Sequence, residues 1–152
     1  MSVAMSASLI ARSVLEDFWE RHALPLRWEK DAIYEITTGF GFHVRLFVEE
    51  ESGLIWAWTA LCPEAPEERR EALHAVLLEA NLADHLLFGG SLALEPETLE
   101  VVYQRAHDPR QGGASGFSRF FSVFAEAASG LRAALAASAE DAPLLPLSGV
   151  RA

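Results

Sequence analysis

Leu77-Leu78-Glu79-Ala80-Asn81-Leu82 ends an amphipathic stretch, and Gly89-Gly90-Ser91-Leu92-Ala93-Leu94-Glu95-Pro96 and Leu99-Glu100-Val101-Val102-Tyr103-Gln104-Arg105 follow it. This reads as a helix handing over to a tight β-hairpin: Gly89-Gly90 breaks the helical period and Pro96-Glu97-Thr98 closes the turn. On a helical wheel the apolar positions fall in two arcs. Leu73, Val76, Leu77, Ala80 and Ala83 form the main stripe, while His74, Leu78, Leu82 and His85 form a second about a third of a turn round. A helix that is apolar on two sides packs against two things. One is its own sheet, and the second arc suits another subunit, which makes His74, Leu78, Leu82 and His85 the candidate dimer interface.

Upstream, Ile10, Val14 and Phe18 recur at helical spacing with Leu15, Trp19 and His22 alongside, and Arg12, Glu16, Asp17 and Glu20 face away. Pro25 ends this first helix near Ala23, because it biases Leu24 away from helical geometry. Three strands follow: Leu26 to Trp28 running into Ile33 to Ile36, then Phe42 to Glu49, then Leu54 to Leu61. The short breaks at Thr38-Gly39-Phe40-Gly41 and Glu50-Glu51-Ser52-Gly53 predict an antiparallel meander. In the middle strand Phe42, Val44, Leu46 and Val48 alternate with His43, Arg45, Phe47 and Glu49, so one face is core. The third strand lacks that contrast, since Leu54, Trp56 and Trp58 alternate with Ile55, Ala57 and Thr59, and both faces suit burial. Pro63-Glu64-Ala65-Pro66-Glu67-Glu68 is a helix entrance, with carboxylates near the positive end of the dipole.

Downstream, Asp108-Pro109 through Gly116 reads as a flexible, glycine-rich loop, with Ser115 or Ser118 capping a third helix. Phe117, Phe120, Phe121, Phe124, Ala128, Leu131 and Leu135 give that helix an aromatic stripe most simply read as core. The expected organisation is one domain over residues 1–137, followed by a mobile tail over 138–152. The element order is α-β-β-β-α-β-β-α: an α+β fold with a twisted antiparallel sheet covered by helices.

Composition narrows the function. The 152 residues are 51% hydrophobic, enough for one domain with a sizeable core. Twenty-two acidic residues against 12 basic ones give a formal charge of −10, with Lys30 the single lysine. Nucleic acid is disfavoured as a partner, because its affinity rests on Lys and Arg displacing counterions, and an anionic membrane surface is disfavoured likewise. The apolar run from Leu54 to Cys62 is less than half of the ~20 residues a membrane helix needs. With one cysteine and no signal-peptide pattern at the N-terminus, the expected location is the cytoplasm.

Few residues carry chemistry. His74 and His85 are three helical turns apart, too far to share a metal ion, although flanking Leu78 and Leu82 they suit a pH-sensitive contact. Cys62 has carboxylates rather than bases nearby in sequence, so a small residue ending a buried strand explains it better than a nucleophile. Gly112-Gly113-Ala114-Ser115-Gly116 matches neither a P-loop nor a nucleophile elbow. Glu49-Glu50-Glu51 suits a solvated hairpin tip. An enzyme assembled from His43, Arg45 and a carboxylate is the weakest reading, and no cofactor is expected. The sheet aromatics differ: Trp28, Tyr34, Phe47, Trp56 and Trp58 exceed what the space beneath three helices holds, and surplus aromatic surface is what a binding patch needs. Arg45 shares a face with Phe47 and suits an anchor there.

The element order, the small size, the low pI of about 4.9, Leu24-Pro25-Leu26 after the first helix, and Leu-Leu-x-Ala-Asn-Leu followed by glycine and a hairpin resemble the class I chaperones of bacterial type III secretion, the CesT-like family. The resemblance covers Leu9 to Leu135. It implies a homodimer, formed around the second helix and the adjoining strand, that uses neither nucleotide nor catalysis. Such a protein binds the N-terminal segment of a secreted effector in extended form and keeps it competent for secretion. The family's grooves along the first helix and first three strands map here onto Trp19, Trp28, Phe47, Trp56 and Trp58. The alternative is a small regulatory or interaction domain of YbjN-like topology with no secretion role.

Overall fold

The computed structural model describes residues 3–22, 33–62, 67–82 and 87–140. Helix α1 (Val3–Arg21) leads to strands β1 (Ile33–Thr37), β2 (His43–Val48) and β3 (Ile55–Cys62), then helix α2 (Glu67–Leu82), strands β4 (Ser91–Leu94) and β5 (Val101–His107), and helix α3 (Gly113–Glu140). The fold is α+β; the described residues form three helices and one open antiparallel sheet in the order β1-β2-β3-β5-β4. The chain gathers into two compact units, one from Met1–Trp58 with Arg105–Ala125 and the other from Thr59–Gln104 with Glu126–Ala152.

In the first unit, Ala11, Val14, Leu15, Phe18 and Trp19 recur at i, i+3, i+4, i+7 and i+8 and are buried. Ile10, read as part of that face, is 40% exposed, because the stripe drifts round the helix and Ala11 takes the inward position. Tyr34, Ile36, Val44, Leu46, Val48, Ile55 and Ala57 supply the buried sheet face. Aromatic edges close the core: Phe18 meets Phe117 at 4.9 Å and 90°, and Trp19 meets Tyr34 at 5.2 Å. Tyr34, grouped above with the surplus aromatics, is therefore core, and burial pushes its phenol up to about 12. At the β2–β3 turn Gly53 has φ +73°, and a Cβ there would lie 2.5 Å from Ala7 Cβ, so this turn closes on α1 only as glycine.

In the second unit, Leu77 and Ala80 of α2 are buried with Leu61, Leu87, Leu92 and Leu135. Val101, Val102 and Tyr103 are buried in succession, so β5 is covered on both faces there.

Three expectations need correction. Helix α3 begins at Gly113, so much of the expected loop is helical, and Ser115 and Ser118 lie inside the helix rather than capping it. The physical reason is packing. Gly116 approaches the carbonyl oxygen of Gln111 so closely that a Cβ would lie 2.0 Å away, while its N–H donates to Gly112. Ser115 instead accepts from Arg21 at 3.1 Å, and the Ser118 hydroxyl lies 3.4 Å from His22 Nε2. Secondly, α3 runs on to Glu140, three residues into the stretch read as a tail. Thirdly, Glu50 is not merely solvated: Arg12 donates to it at 2.7 Å, and this bond, aided by Ser8, holds its carboxyl below the usual range. The expected strand at Leu26 to Trp28, the helix entrance at 63–66 and the residues after Glu140 lie outside the described residues.

Candidate functional site

The exposed face of the β1–β2–β3 meander is built by register. Glu35 stands opposite Arg45 and Thr37 opposite His43, while Arg45 stands opposite Trp58 and Phe47 opposite Trp56. Alternation along β2 turns His43, Arg45 and Phe47 outward as Val44, Leu46 and Val48 turn inward. That polar parity decides the third strand. Ile55, Ala57 and Thr59 are buried, so Trp56 and Trp58 join the outer face, where both are half-buried.

Two aromatic layers result. Phe47 lies nearly parallel to Trp56, with centroids 6.3 Å apart at 9°, and Phe47 keeps 37% of its surface exposed. In the next layer the Arg45 guanidinium sits 5.3 Å above the Trp58 ring, a contact of about 0.5–1 kcal/mol when exposed. Glu35 flanks Arg45 at 3.5 Å and His43 at 3.8 Å, and Thr37 Oγ1 lies 3.0 Å from His43 Nδ1. The exposed Glu35–Arg45 pair and the Glu35–His43 contact orient side chains more than they stabilise the fold. The Phe47–Trp56 layer offers apolar surface, and Arg45 and Glu35 offer charged groups beside it. His43 is exposed on this open face rather than lining a closed polar pocket, so the enzyme reading gains nothing from it.

The meander also presents main chain. Thr38 N–H donates to the Phe42 carbonyl at 2.9 Å, so by antiparallel alternation Ile36 and Tyr34 bond toward β2, and the N–H and C=O of Glu35 and Thr37 point the other way. Among the described residues, strand β1 stands at one end of the sheet order.

Not every residue singled out from sequence reaches this surface. Trp19 is 3% exposed and belongs to the core with Phe18 and Tyr34. Its place on the apolar helix face, read above, is what buries it. Trp28 lies outside the described residues. Phe47, Trp56 and Trp58 are brought together, with Arg45 and Glu35 completing the layers.

A second exposed surface lies on α2. Leu78 is 71% exposed and Leu82 87%, with His74 exposed one turn before Leu78, while Leu77 and Ala80 face inward. His85 lies outside the described residues. Between the arcs Asn81 makes two hydrogen bonds to one residue of β4: Leu92 N–H donates to its Oδ1 at 2.7 Å, and its Nδ2 donates to the Leu92 carbonyl at 2.8 Å. The sequence reading named Asn81 in the motif but gave it no role. The one local signal is a weak helix former among leucine, alanine and glutamate.

Among the described residues no helix is long and apolar enough to cross a membrane, and no three His, Cys, Asp or Glu converge as metal ligands. No family model matches the chain, and no curated protein matches its sequence. Solved structures do match. The HopA1–SchA chaperone–effector complex contains a chain that aligns over 85% of this chain and 98% of its own length, at TM-score 0.67 and 16% identity. A chain of the ExsC–ExsE complex aligns over 87% and 95%, at 0.66 and 15% identity. YbjN from E. coli aligns over 83% and 90%, at 0.58 and 16% identity. The chain therefore has the type III secretion chaperone-like fold, a likeness of architecture at these identities.

Proposed function

We propose that this protein is a cytoplasmic chaperone that binds the N-terminal segment of a secreted effector in extended form and keeps it soluble and secretion-competent, without nucleotide or catalysis. The observation that carries the reading is the outer face of the meander, where Phe47, Trp56, Arg45 and Trp58 form layered aromatic surface facing solvent. An extended segment presents alternate side chains to such a face, and its main chain can add to the strand edge beside it. Ordering that segment costs conformational entropy, which the apolar contacts must offset. The fold shared with the HopA1–SchA chaperone–effector complex supports the same reading.

The functional unit in this proposal is a homodimer held by the exposed arc of α2, with His74, Leu78 and Leu82 in the contact and His85 continuing it in sequence. Co-expression with the product of the neighbouring gene, followed by size exclusion and limited proteolysis, tests the whole. The expected result is a protected N-terminal client fragment bound to two copies of this chain, and weaker capture by Phe47→Asp. A complex with no neighbour, or one indifferent to Phe47→Asp, overturns it. The TM-score of 0.58 to YbjN favours a second reading, a small regulatory or interaction domain with no part in secretion. A housekeeping gene neighbourhood and no captured client would decide for it.

A further inference from the structure

Among the described residues, strand β4 ends the sheet order opposite β1, and such an edge is a template for another strand. Its hydrogen-bonding parity follows from the hairpin. Glu95 N–H donates to the Glu100 carbonyl at 2.9 Å, so Ala93 and Ser91 bond toward β5, while Leu92 and Leu94 turn their backbone groups outward. Both outward groups of Leu92 are taken by Asn81, at 2.7 and 2.8 Å, and the N–H of Gly90, next in the outward series, donates to Leu87 at 2.9 Å. A planar amide that accepts from one N–H and donates to the C=O of the same residue does what a neighbouring strand does at one ladder position. A strand adding at β4 would have to displace it, leaving Leu94 beside the turn as its nearest foothold.

We infer that Asn81 closes the outer edge of β4 to strand addition, so that an extended partner is directed to β1. The second clause rests on the client-binding reading above; the first stands on the geometry of α2 and β4 alone. Asn81 is thus a positioning residue that selects the edge, and its loss should let β4 recruit a strand from another copy.

The test uses the purified protein without any client, so its failure is separate from failure of the chaperone reading. In the wild type, residue-resolved amide exchange should be slower at Leu92 than at Leu94, and equal rates overturn the proposal. In Asn81→Leu the Leu92 amide should exchange about tenfold faster. Sedimentation velocity should then show species larger than the wild type that grow with concentration. Adding Leu94→Lys, a charge that blunts a strand edge, should restore the wild-type distribution, which simple destabilisation would not do. An Asn81→Leu profile identical to wild type, or association that Leu94→Lys leaves in place, overturns the assignment. Asn81→Ala removes the same two bonds with less bulk and is read identically if Asn81→Leu does not fold.

Discussion

The Tyr103 ring is wholly buried, and its hydroxyl donates to the Leu87 carbonyl at 2.6 Å. Tyr103→Phe keeps the packing and removes the bond. Because Leu87 still accepts from Gly90, the expected loss is about 1 kcal/mol by chemical denaturation. His107 gives a pH signature. It stacks on Phe120 at 4.8 Å with its Nε2 buried, and burial holds its pKa below the ordinary 6.5, with Asp108 raising it and Arg105 lowering it. Between the folded value and 6.5 the unfolded chain binds a proton that the folded chain does not. The stability from this group is whole above 6.5 and is lost as pH falls toward the folded value. His107→Phe keeps the stack, so its melting temperature should fall less than the wild type's between about pH 7 and 5. At this scale the sequence was legible where alternation spoke, as for Arg45 and Phe47. It was silent on Asn81, whose partners lie 11 residues away on another element.

The elements were legible in order because periodicity and breakers agree along most of the chain. The start of α3 was not, since Gly112, Gly113 and Gly116 signal a loop to any local reading, whereas Gly116 is demanded by the close approach to Gln111. The contrast with Gly130, which meets nothing within 4 Å in mid-helix, is testable. Gly116→Ala should cost at least about 2 kcal/mol, because the clash is with backbone. Gly130→Ala should stabilise by about 0.5–1 kcal/mol through helix propensity and a less flexible unfolded chain. For α2, both arcs were readable on the wheel, and the structure leaves Leu78 and Leu82 exposed. In the dimer proposed above, Leu78→Glu puts a charge at the centre of that arc, and sedimentation should show a shift from dimer to monomer. An unchanged dimer, or a wild-type monomer, removes that assignment.

For the whole molecule, a formal charge of −10 on a largely apolar composition suits a protein that must stay soluble while displaying aromatic surface. The sheet order was legible only in part. Short turns predicted the β1–β2–β3 meander and the β4–β5 hairpin, but the placement of β5 beside β3 is a long-range pairing that no local pattern encodes. The choice between the two faces of β3 was likewise settled by register with β2 rather than by its own residues. The same register equips the molecule with a built-in optical probe. Of its four tryptophans, Trp19 is sealed from water, whereas Trp56 and Trp58 stand half in solvent, one beside Phe47 and the other beneath a guanidinium. A ligand settling on that face should move their fluorescence toward the blue and shield it from iodide. Trp56→Phe combined with Trp58→Phe should remove the part of the change that arises on that face while the emission of Trp19 and Trp28 persists, so occupancy can be followed in unlabelled protein in real time.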